Sequence, residues 1–288
     1  MLETQIKPET QPRNKAFAKR IEDFLADYFC DSPAVHASIL KATRYSLLQK
    51  GAKRFRANLA CLTSESLGVS IEAVIPFAAA LECVHTYSLI HDDLPCMDND
   101  DFRRGEPTNH KVYGEATALL AGDALITEAF SIIAKYYFAD SQKGLQLVGI
   151  LSRAAGMHGM ISGQVRDLES SKVSLEKLED LQTMHEQKTG ALILVALEGA
   201  AIIAHADAKQ TDDLKQFGKN LGLAFQVKDD LLDFQEDKGT SYTSFMGYEG
   251  AENFLRELTA RCLANLETWG GQASGLREMA QYNFARIN

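Results

Sequence analysis

The placement of proline constrains this chain more than any other single feature. All six prolines (Pro8, Pro12, Pro33, Pro76, Pro95 and Pro107) lie in the first 107 residues, and residues 108–288 contain none. Proline removes a helical N–H and clashes with the preceding turn, so a stretch without it permits long helices. The apolar spacing makes the positive case. Leu175, Leu178, Leu181 and Met184 recur at threes, and Leu214, Phe217, Leu221, Ala224 and Phe225 at threes and fours, each set forming one buried helical stripe. Strand-like alternation over six or more residues is hard to find. Helices are expected over about 15–30, 34–50, 54–67, 71–92, 115–138, 142–168, 174–205, 209–235, 245–268 and 273–286. Ser32 before Pro33, and Ser174 ahead of Glu176 and Lys177, read as helix starts; Gly270 and Gly271 read as a stop after Trp269. No linker and no solenoid-length repeat interrupts the pattern. One all-α domain over residues 1–288 is expected, with 1–14 as a flexible leading segment.

Charge narrows the partners. Thirty Lys and Arg against 39 Asp and Glu leave a net charge of −9, which argues against nonspecific nucleic-acid binding. An anionic ligand would need metal ions or well-placed cations to offset that charge. With 45% hydrophobic and 24% charged residues, the composition is that of an ordinary globular protein. Five scattered cysteines without a CxxC pair suggest neither a disulfide framework nor a zinc site, and fit a reducing compartment. The opening MLETQIKPETQPRNK lacks a secretory h-region, and no run of 18 apolar residues follows. A cytoplasmic location with no stable membrane anchor is expected.

Four clusters carry chemistry. In His91-Asp92-Asp93-Leu94-Pro95-Cys96-Met97-Asp98-Asn99-Asp100-Asp101, five carboxylates crowd into ten residues directly after an apolar helix. Their mutual repulsion favours a cation among them, and oxygen-rich sites suit hard ions such as magnesium. In Phe225-Gln226-Val227-Lys228-Asp229-Asp230-Leu231-Leu232-Asp233, Asp229 and Asp233 stand one helical turn apart on one face. Either cluster alone is as readily a solvated acidic helix end; two, each closing an apolar helix, are harder to dismiss. Gly51-Ala52-Lys53-Arg54-Phe55-Arg56 opens with a glycine turn and places Lys53 and Arg56 three apart, suited to gripping a phosphate. Arg103 and Arg104 add guanidinium groups beside the first acid cluster. In His185-Glu186-Gln187-Lys188-Thr189-Gly190, the Thr-Gly pair can kink a long helix and expose carbonyls, or be a tolerated local irregularity.

These segments together resemble the short-chain trans-isoprenyl diphosphate synthases, in particular bacterial farnesyl diphosphate synthases and their geranylgeranyl relatives. GAKRFRA is similar to that family's GGKRxRP, HDDLPCMD to its first aspartate-rich motif with the two-residue insertion, HEQKTG to its Lys-Thr motif and FQVKDDLLD to its second aspartate-rich motif. The resemblance runs from about residue 45 to the C-terminus. It implies an all-α helical bundle around a deep central cavity, with the two acid clusters facing across its mouth, and usually a homodimer. By the same resemblance Asp92, Asp98 and Asp229 would bind magnesium ions holding an allylic diphosphate. Asp93, Asp230 and Asp233 would complete or support that cluster, Asp233 as a further metal ligand. Lys53, Arg56, His85 and Arg104 would hold isopentenyl diphosphate; Arg103, Lys188, Thr189 and Gln226 would contact the allylic substrate. Tyr87 and Ser88, five and four residues before Asp92, would set product length, the Tyr87 ring blocking a fourth isoprene unit.

The implied activity is head-to-tail condensation of isopentenyl diphosphate with dimethylallyl or geranyl diphosphate to farnesyl diphosphate. Geranylgeranyl or geranyl diphosphate synthesis is the alternative product range. After Asp233 the family carries a longer segment with another lysine, whereas Phe234 to Tyr242 is short here, with only Lys238 to substitute. Ala52 and Ala57 replace the family's Gly and Pro. A type I terpene cyclase would not need the group Lys53, Arg56 and His85, and a silent subunit of a heteromer would not need intact acid clusters. Residues 92–101 and 229–237 each hold five acids, so the negative charge concentrates where magnesium is expected.

Overall fold

The structure is a computed structural model that describes residues 12–170, 172–234 and 240–287. Thirteen α-helices account for most of these residues, as the proline-free stretch and the apolar spacing require. Contacts group the chain into two compact units, each assembled from separate stretches.

One unit comprises Pro12–Cys61 and Ile71–Val148. It holds α1 (Pro12–Tyr28), α2 (Ala37–Leu47), the first part of α3 (Phe55–Ser66), α4 (Ile75–Asp92), α5 (Asn109–Tyr113), α6 (Glu115–Tyr136) and the start of α7 (Ser141–Ala155). Helix α4 is apolar nearly all round, and Ile75 to Val84 are buried without interruption. Such a helix is stable only when covered on several sides, and α1, α2 and α6 pack against it. Ile21 and Leu25 of α1, Leu47 of α2, Phe77 and Leu81 of α4, and Leu125 and Ile132 of α6 form the sealed interior. By length and composition α6 could cross a membrane, but its inner residues belong to this core and 39% of its most apolar window is buried.

The second unit comprises Leu62–Ser70 and the chain from Gly149. It holds α8 (Met160–Ser170), α9 (Leu178–His185), α10 (Ala191–Ile203), α11 (Ala208–Leu232), α12 (Tyr242–Asn265) and α13 (Ser274–Ala285). Its centre packs Leu181 and Met184 of α9 against Ala224, Val227 and Leu231 of α11 and Tyr242, Leu255 and Leu258 of α12. Of the stripes legible in the sequence, Leu181, Met184, Leu214, Phe217, Leu221 and Ala224 are buried, while Leu178 and Phe225 are half-buried and Leu175, also half-buried, precedes α9. Capping boxes start α11 (Asp207 with Gln210) and α12 (Ser241 with Ser244).

Several expected boundaries shift. The helix expected over 142–168 is two, α7 and α8, because the Gly156 to Gly159 segment folds so closely that a Cβ at Gly159 would lie 2.1 Å from Ala154 O. Ser32 caps a turn, its Oγ accepting from Ala34 N, and α2 starts at Ala37 with His36 as its cap. Ser174 caps nothing; α9 begins at Leu178 after Lys177. Helix α12 begins earlier than expected because Ser241 caps it, and it bends at Gly247, where φ is 71°. It ends at Asn265, and Gly270 lies within a short 3₁₀ segment, Glu267–Ala273. A two-stranded ribbon, β1 (Phe102–Arg103) and β2 (Glu106–Pro107), had no signal in the alternation pattern because each strand is only two residues long. Within the short segment after Asp233, residues 235–239, Lys238 among them, lie outside the described residues.

Candidate functional site

In the first unit, the basic segment ahead of α3 is built around a residue that the motif reading passed over. Arg54 is buried and adopts a left-handed φ of 48°. Its guanidinium donates to Glu82 Oε2 at 2.8 Å, to Leu47 O at 2.6 Å and to Glu22 Oε1 at 3.3 Å. It thereby ties the loop to α4, α2 and α1 together, and the neighbouring carboxylates keep it charged against the cost of burial. With Arg54 turned inward and Gly51 at φ 81°, Lys53 remains exposed and Arg56 half-buried. Arg56 Nη1 lies 3.4 Å from His85 Nε2. A guanidinium can only donate, so that ring nitrogen accepts. Burial, then Arg56, Arg104, Arg54 and Arg103, hold His85 well below its ordinary pKa, so the imidazole is neutral and fit for that role.

The first acid motif begins where α4 ends. Asp98 N donates to Asp92 O at 2.8 Å and Asn99 N to Leu94 O at 3.1 Å, with Asn99 at φ 56°. The segment Leu94 to Met97, which includes the two-residue insertion, therefore loops out and returns Asp98 to the backbone of Asp92. Asp93 is only 3% exposed and receives two guanidinium contacts from Arg103, at 2.7 and 2.6 Å. Burial raises its pKa, and Arg103 opposes that rise. Arg103 also reaches Asp100 at 3.4 Å. The ribbon sets this geometry: Arg103 pairs with Glu106, so Arg104 (φ 55°) and Gly105 (φ 80°) are its two-residue turn, both left-handed as a tight hairpin requires. Gln49 and Tyr45 pin the ribbon by donating to Arg103 O and Pro107 O. Adjacent arginines thus part: Arg103 faces Asp93 and Arg104 sits at the exposed tip.

On the wall of α4, Tyr87 is 7% exposed and its hydroxyl has no hydrogen-bond partner among the described residues. Burial, then Asp92, pushes that phenol up to about 12. Ser88 turns its hydroxyl back to His85 O at 2.9 Å.

In the second unit, the kink expected at HEQKTG is a single π-helical turn, Glu186–Gly190, joining α9 to α10. Such a turn inserts one residue into the ladder and frequently marks a functional site. Two glycines let neighbouring helices approach it: a Cβ at Gly163 of α8 would lie 2.2 Å from Lys188 N, and one at Gly222 of α11 would lie 3.0 Å from Gly190 Cα. Lys188 Nζ pairs with Asp167 of α8, and Thr189 Oγ1 donates to Gln226 Oε1 of α11 at 2.9 Å. Gln226 Nε2 in turn donates to Asp229 Oδ2 at 3.2 Å. Asp229 Oδ1 receives Arg286 Nη2 at 2.6 Å, and the same guanidinium reaches Phe225 O at 3.0 Å and stacks on the Phe225 ring. Asp230 Oδ2 accepts from Tyr242 N at 2.6 Å, which ties the acid motif to the start of α12. Asp233 is the exposed C-cap of α11, its N–H donating to Asp229 O. His185, just before the π turn, is lowered to about 4 by burial, then by Lys188 against the opposing pull of Asp167.

The expected residues are therefore sorted by what they touch. Asp92 and Asp98 meet at one helix end, and Lys53 and Arg56 flank one buried anchor beside His85. Lys188, Thr189, Gln226 and Asp229 form one connected network. Asp93 and Asp230 are engaged by Arg103 and by the α12 backbone. Among the described residues no three carboxylate, imidazole or thiol groups converge into a self-sufficient metal cage. Two aspartates per motif are donors of the type a hard divalent cation takes jointly with water and phosphate oxygens, although Asp229 is here paired with Arg286. The motif reading missed Arg54, Glu82, Gly163, Asp167 and Arg286. A lone acid in the apolar run of α4 was the one available signal, at Glu82; Arg286, near the chain end, gave none.

The chain is similar to known proteins over most of its length. A family profile described as polyprenyl synthetase matches residues 37–244. Farnesyl diphosphate synthase of Bacillus subtilis is 41% identical over 254 residues, covering 82% of this chain and 84% of that protein. A chloroplastic geranylgeranyl pyrophosphate synthase of Arabidopsis thaliana is also 41% identical, over 267 residues, covering 87% and 77%. The crystal structure of an FPP/GFPP synthase from Zymomonas mobilis superposes with a TM-score of 0.90 at 36% identity, covering 94% of this chain and 97% of that one. Two acid-ended helices, a basic loop and a π turn are thus the local architecture of a chain that belongs to the polyprenyl synthetase family.

Proposed function

We infer that this chain is a trans-prenyltransferase that joins isopentenyl diphosphate head to tail to dimethylallyl or geranyl diphosphate, with farnesyl diphosphate as product and magnesium as its metal. The observation that carries this reading is the presence, in one unit, of both the Asp92 and Asp98 turn and the separate cationic group of Lys53, Arg56 and neutral His85. An enzyme that only ionises one diphosphate needs the first; a condensing enzyme needs both.

Asp92 and Asp98 from one motif, and Asp229 with Asp233 from the other, are the residues that would hold magnesium. When bound, magnesium supplies positive charge that stabilises the departing diphosphate. Lys53, Arg56 and Arg104 bind the diphosphate of isopentenyl diphosphate, and His85, being neutral, orients Arg56 without adding charge. Lys188 offers an ammonium to the allylic diphosphate, while Thr189, Gln226 and the carbonyls around the π turn direct negative dipole ends toward the allylic carbon. The allylic C–O bond breaks with its electron pair leaving on diphosphate. The alkene of isopentenyl diphosphate then forms the new C–C bond, and loss of a proton to the released diphosphate restores the double bond. No side-chain nucleophile is required. Asp93 holds Arg103 in place, and Asp230 holds the end of α11 against α12.

The family match runs through stretches of both units, which supports one functional domain. Leu119 and Leu120 of α6 are 46% and 53% exposed side by side, which suits a second copy of the chain as their cover and supports a homodimer. All five cysteines are free, in keeping with the cytoplasm. Incubation with magnesium, geranyl diphosphate and labelled isopentenyl diphosphate tests the reading. Elongated prenyl diphosphate, abolished by chelation and restored by magnesium, is expected; a cyclised hydrocarbon, or no turnover, would overturn it.

A further inference from the structure

The Tyr87 ring is held from one side by a contact that runs to the neighbouring helix. His91, one turn further along α4, stands edge-on to Tyr87, with ring centres 5.6 Å apart and planes at 74°. The His91 Nε2–H donates to Leu119 O of α6 at 3.0 Å, and Asp123 Oδ1 lies 3.9 Å from the same nitrogen. The imidazole fits between Tyr87 and α6 because residue 122 has no side chain. A Cβ built at Gly122 would lie 2.1 Å from His91 Nε2, 2.5 Å from Cδ2 and 2.9 Å from Cε1, all inside any permissible contact. Gly122 has an ordinary helical backbone, so no conformational demand explains a glycine mid-helix, where it is less favourable than alanine. What the missing methyl group provides is room for the imidazole.

We propose that Gly122 is a positioning residue for product length: it admits the His91 imidazole, which locks the Tyr87 ring in the orientation that stops chain growth. The inference rests on the reading of Tyr87 as the stop. Any side chain at 122 must expel the ring, and His91, partly open to solvent, has somewhere to go. Tyr87 then loses its lateral support, and a space the size of an imidazole opens beside it. Because the hydroxyl of Tyr87 has no partner among the described residues, no hydrogen bond from them holds the phenol in place once the ring contact is gone.

The test is the product distribution of Tyr87→Ala, Gly122→Ala, His91→Ala and the Gly122→Ala/His91→Ala double variant. Geranyl diphosphate and isopentenyl diphosphate are supplied, and the dephosphorylated products are separated by chromatography. A distribution is a ratio, so it is not moved by a uniform loss of rate. Gly122→Ala and His91→Ala are each expected to raise the ratio of longer to farnesyl product by about tenfold, the scale of a methylene-sized change in an apolar site. In the double variant Gly122→Ala should add nothing to His91→Ala, because its only target is gone. If Tyr87→Ala lengthens the product but Gly122→Ala does not, the role of Gly122 falls and the Tyr87 reading stands. If Tyr87→Ala leaves the product unchanged, the Tyr87 reading falls and takes this inference with it. A Gly122→Ala effect that persists without His91 also overturns the proposal. Should Gly122→Ala fail to fold by circular dichroism, His91→Ala decides alone: an unchanged product refutes the lock.

Discussion

Gly163→Ala should disable the π turn more than it destabilises the protein. The added methyl carbon would lie 2.2 Å from Lys188 N, 2.5 Å from Lys188 Cα and 2.8 Å from the Gln187 carbonyl carbon, against 3.4 Å for ordinary contact. All three are backbone atoms, so no side-chain rotation relieves the clash, and α8 and the π turn must separate by an amount on the order of 1 Å. Overpacking of this kind costs about 1–3 kcal/mol, offset in part by roughly 0.5–1 kcal/mol gained from replacing a helical glycine. The net loss expected in urea unfolding is therefore about 1–2 kcal/mol, leaving the chain folded. Activity should suffer more, because Lys188 and Thr189 move with the turn and a misplacement of about 1 Å can cost around 100-fold in rate. Steady-state turnover of geranyl and isopentenyl diphosphates measures this, alongside the melt. Turnover within a few-fold of the parent would refute the argument that close glycine packing sets the π turn.

Other outcomes follow from single contacts. Tyr87→Phe removes a buried hydroxyl with no partner among the described residues, so thermal melts should show stability unchanged or raised by about 1 kcal/mol, with farnesyl length retained by chromatography. Arg54→Met should destabilise by about 3–5 kcal/mol by stranding buried Glu82, and Arg54→Met/Glu82→Met should recover much of that loss in urea titration. For His185 the folded pKa is about 4 against 6.5 unfolded, so the unfolded chain binds the extra proton between those values. Stability should be fully present above pH 6.5 and fall toward pH 4 by about 3 kcal/mol; urea melts of His185→Gln across that window should be flatter by this amount.

Much of the candidate site was legible because its residues are close in sequence. Asp229 and Asp233, and Lys188 and Thr189, each sit within one turn of helix, whereas Asp98 returns to Asp92 through a loop beyond the end of α4. The roles that were not legible depend on partners far along the chain. Arg54 stands between two residues read as phosphate ligands, and only its contacts with Glu22, Leu47 and Glu82 reveal it as the buried anchor. Likewise the resemblance assigned Arg103 and Arg104 to different substrates, but that Arg103 turns to Asp93 while Arg104 sits in the tight turn depends on the ribbon that pairs Arg103 with Glu106. Helix ends were misplaced where a glycine-rich segment or a serine cap, rather than the apolar period, stopped or started the helix.

Sequence by itself determined the all-α class and the residue types proposed for a metal-assisted diphosphate site, since the period of apolar residues and the spacing of acids are properties of a chain segment. Tertiary structure decided which of those charges are engaged within the protein and which face outward. Asp93 is held by Arg103, Asp229 by Arg286 and Asp230 by the Tyr242 N–H. It also decided why glycine stands at 122, 163 and 222, where a methyl group would meet a neighbouring helix. The physical reason is range: helix formation is settled within a few residues, whereas burial, ion pairing and close approach depend on elements that the fold brings together from tens of residues away.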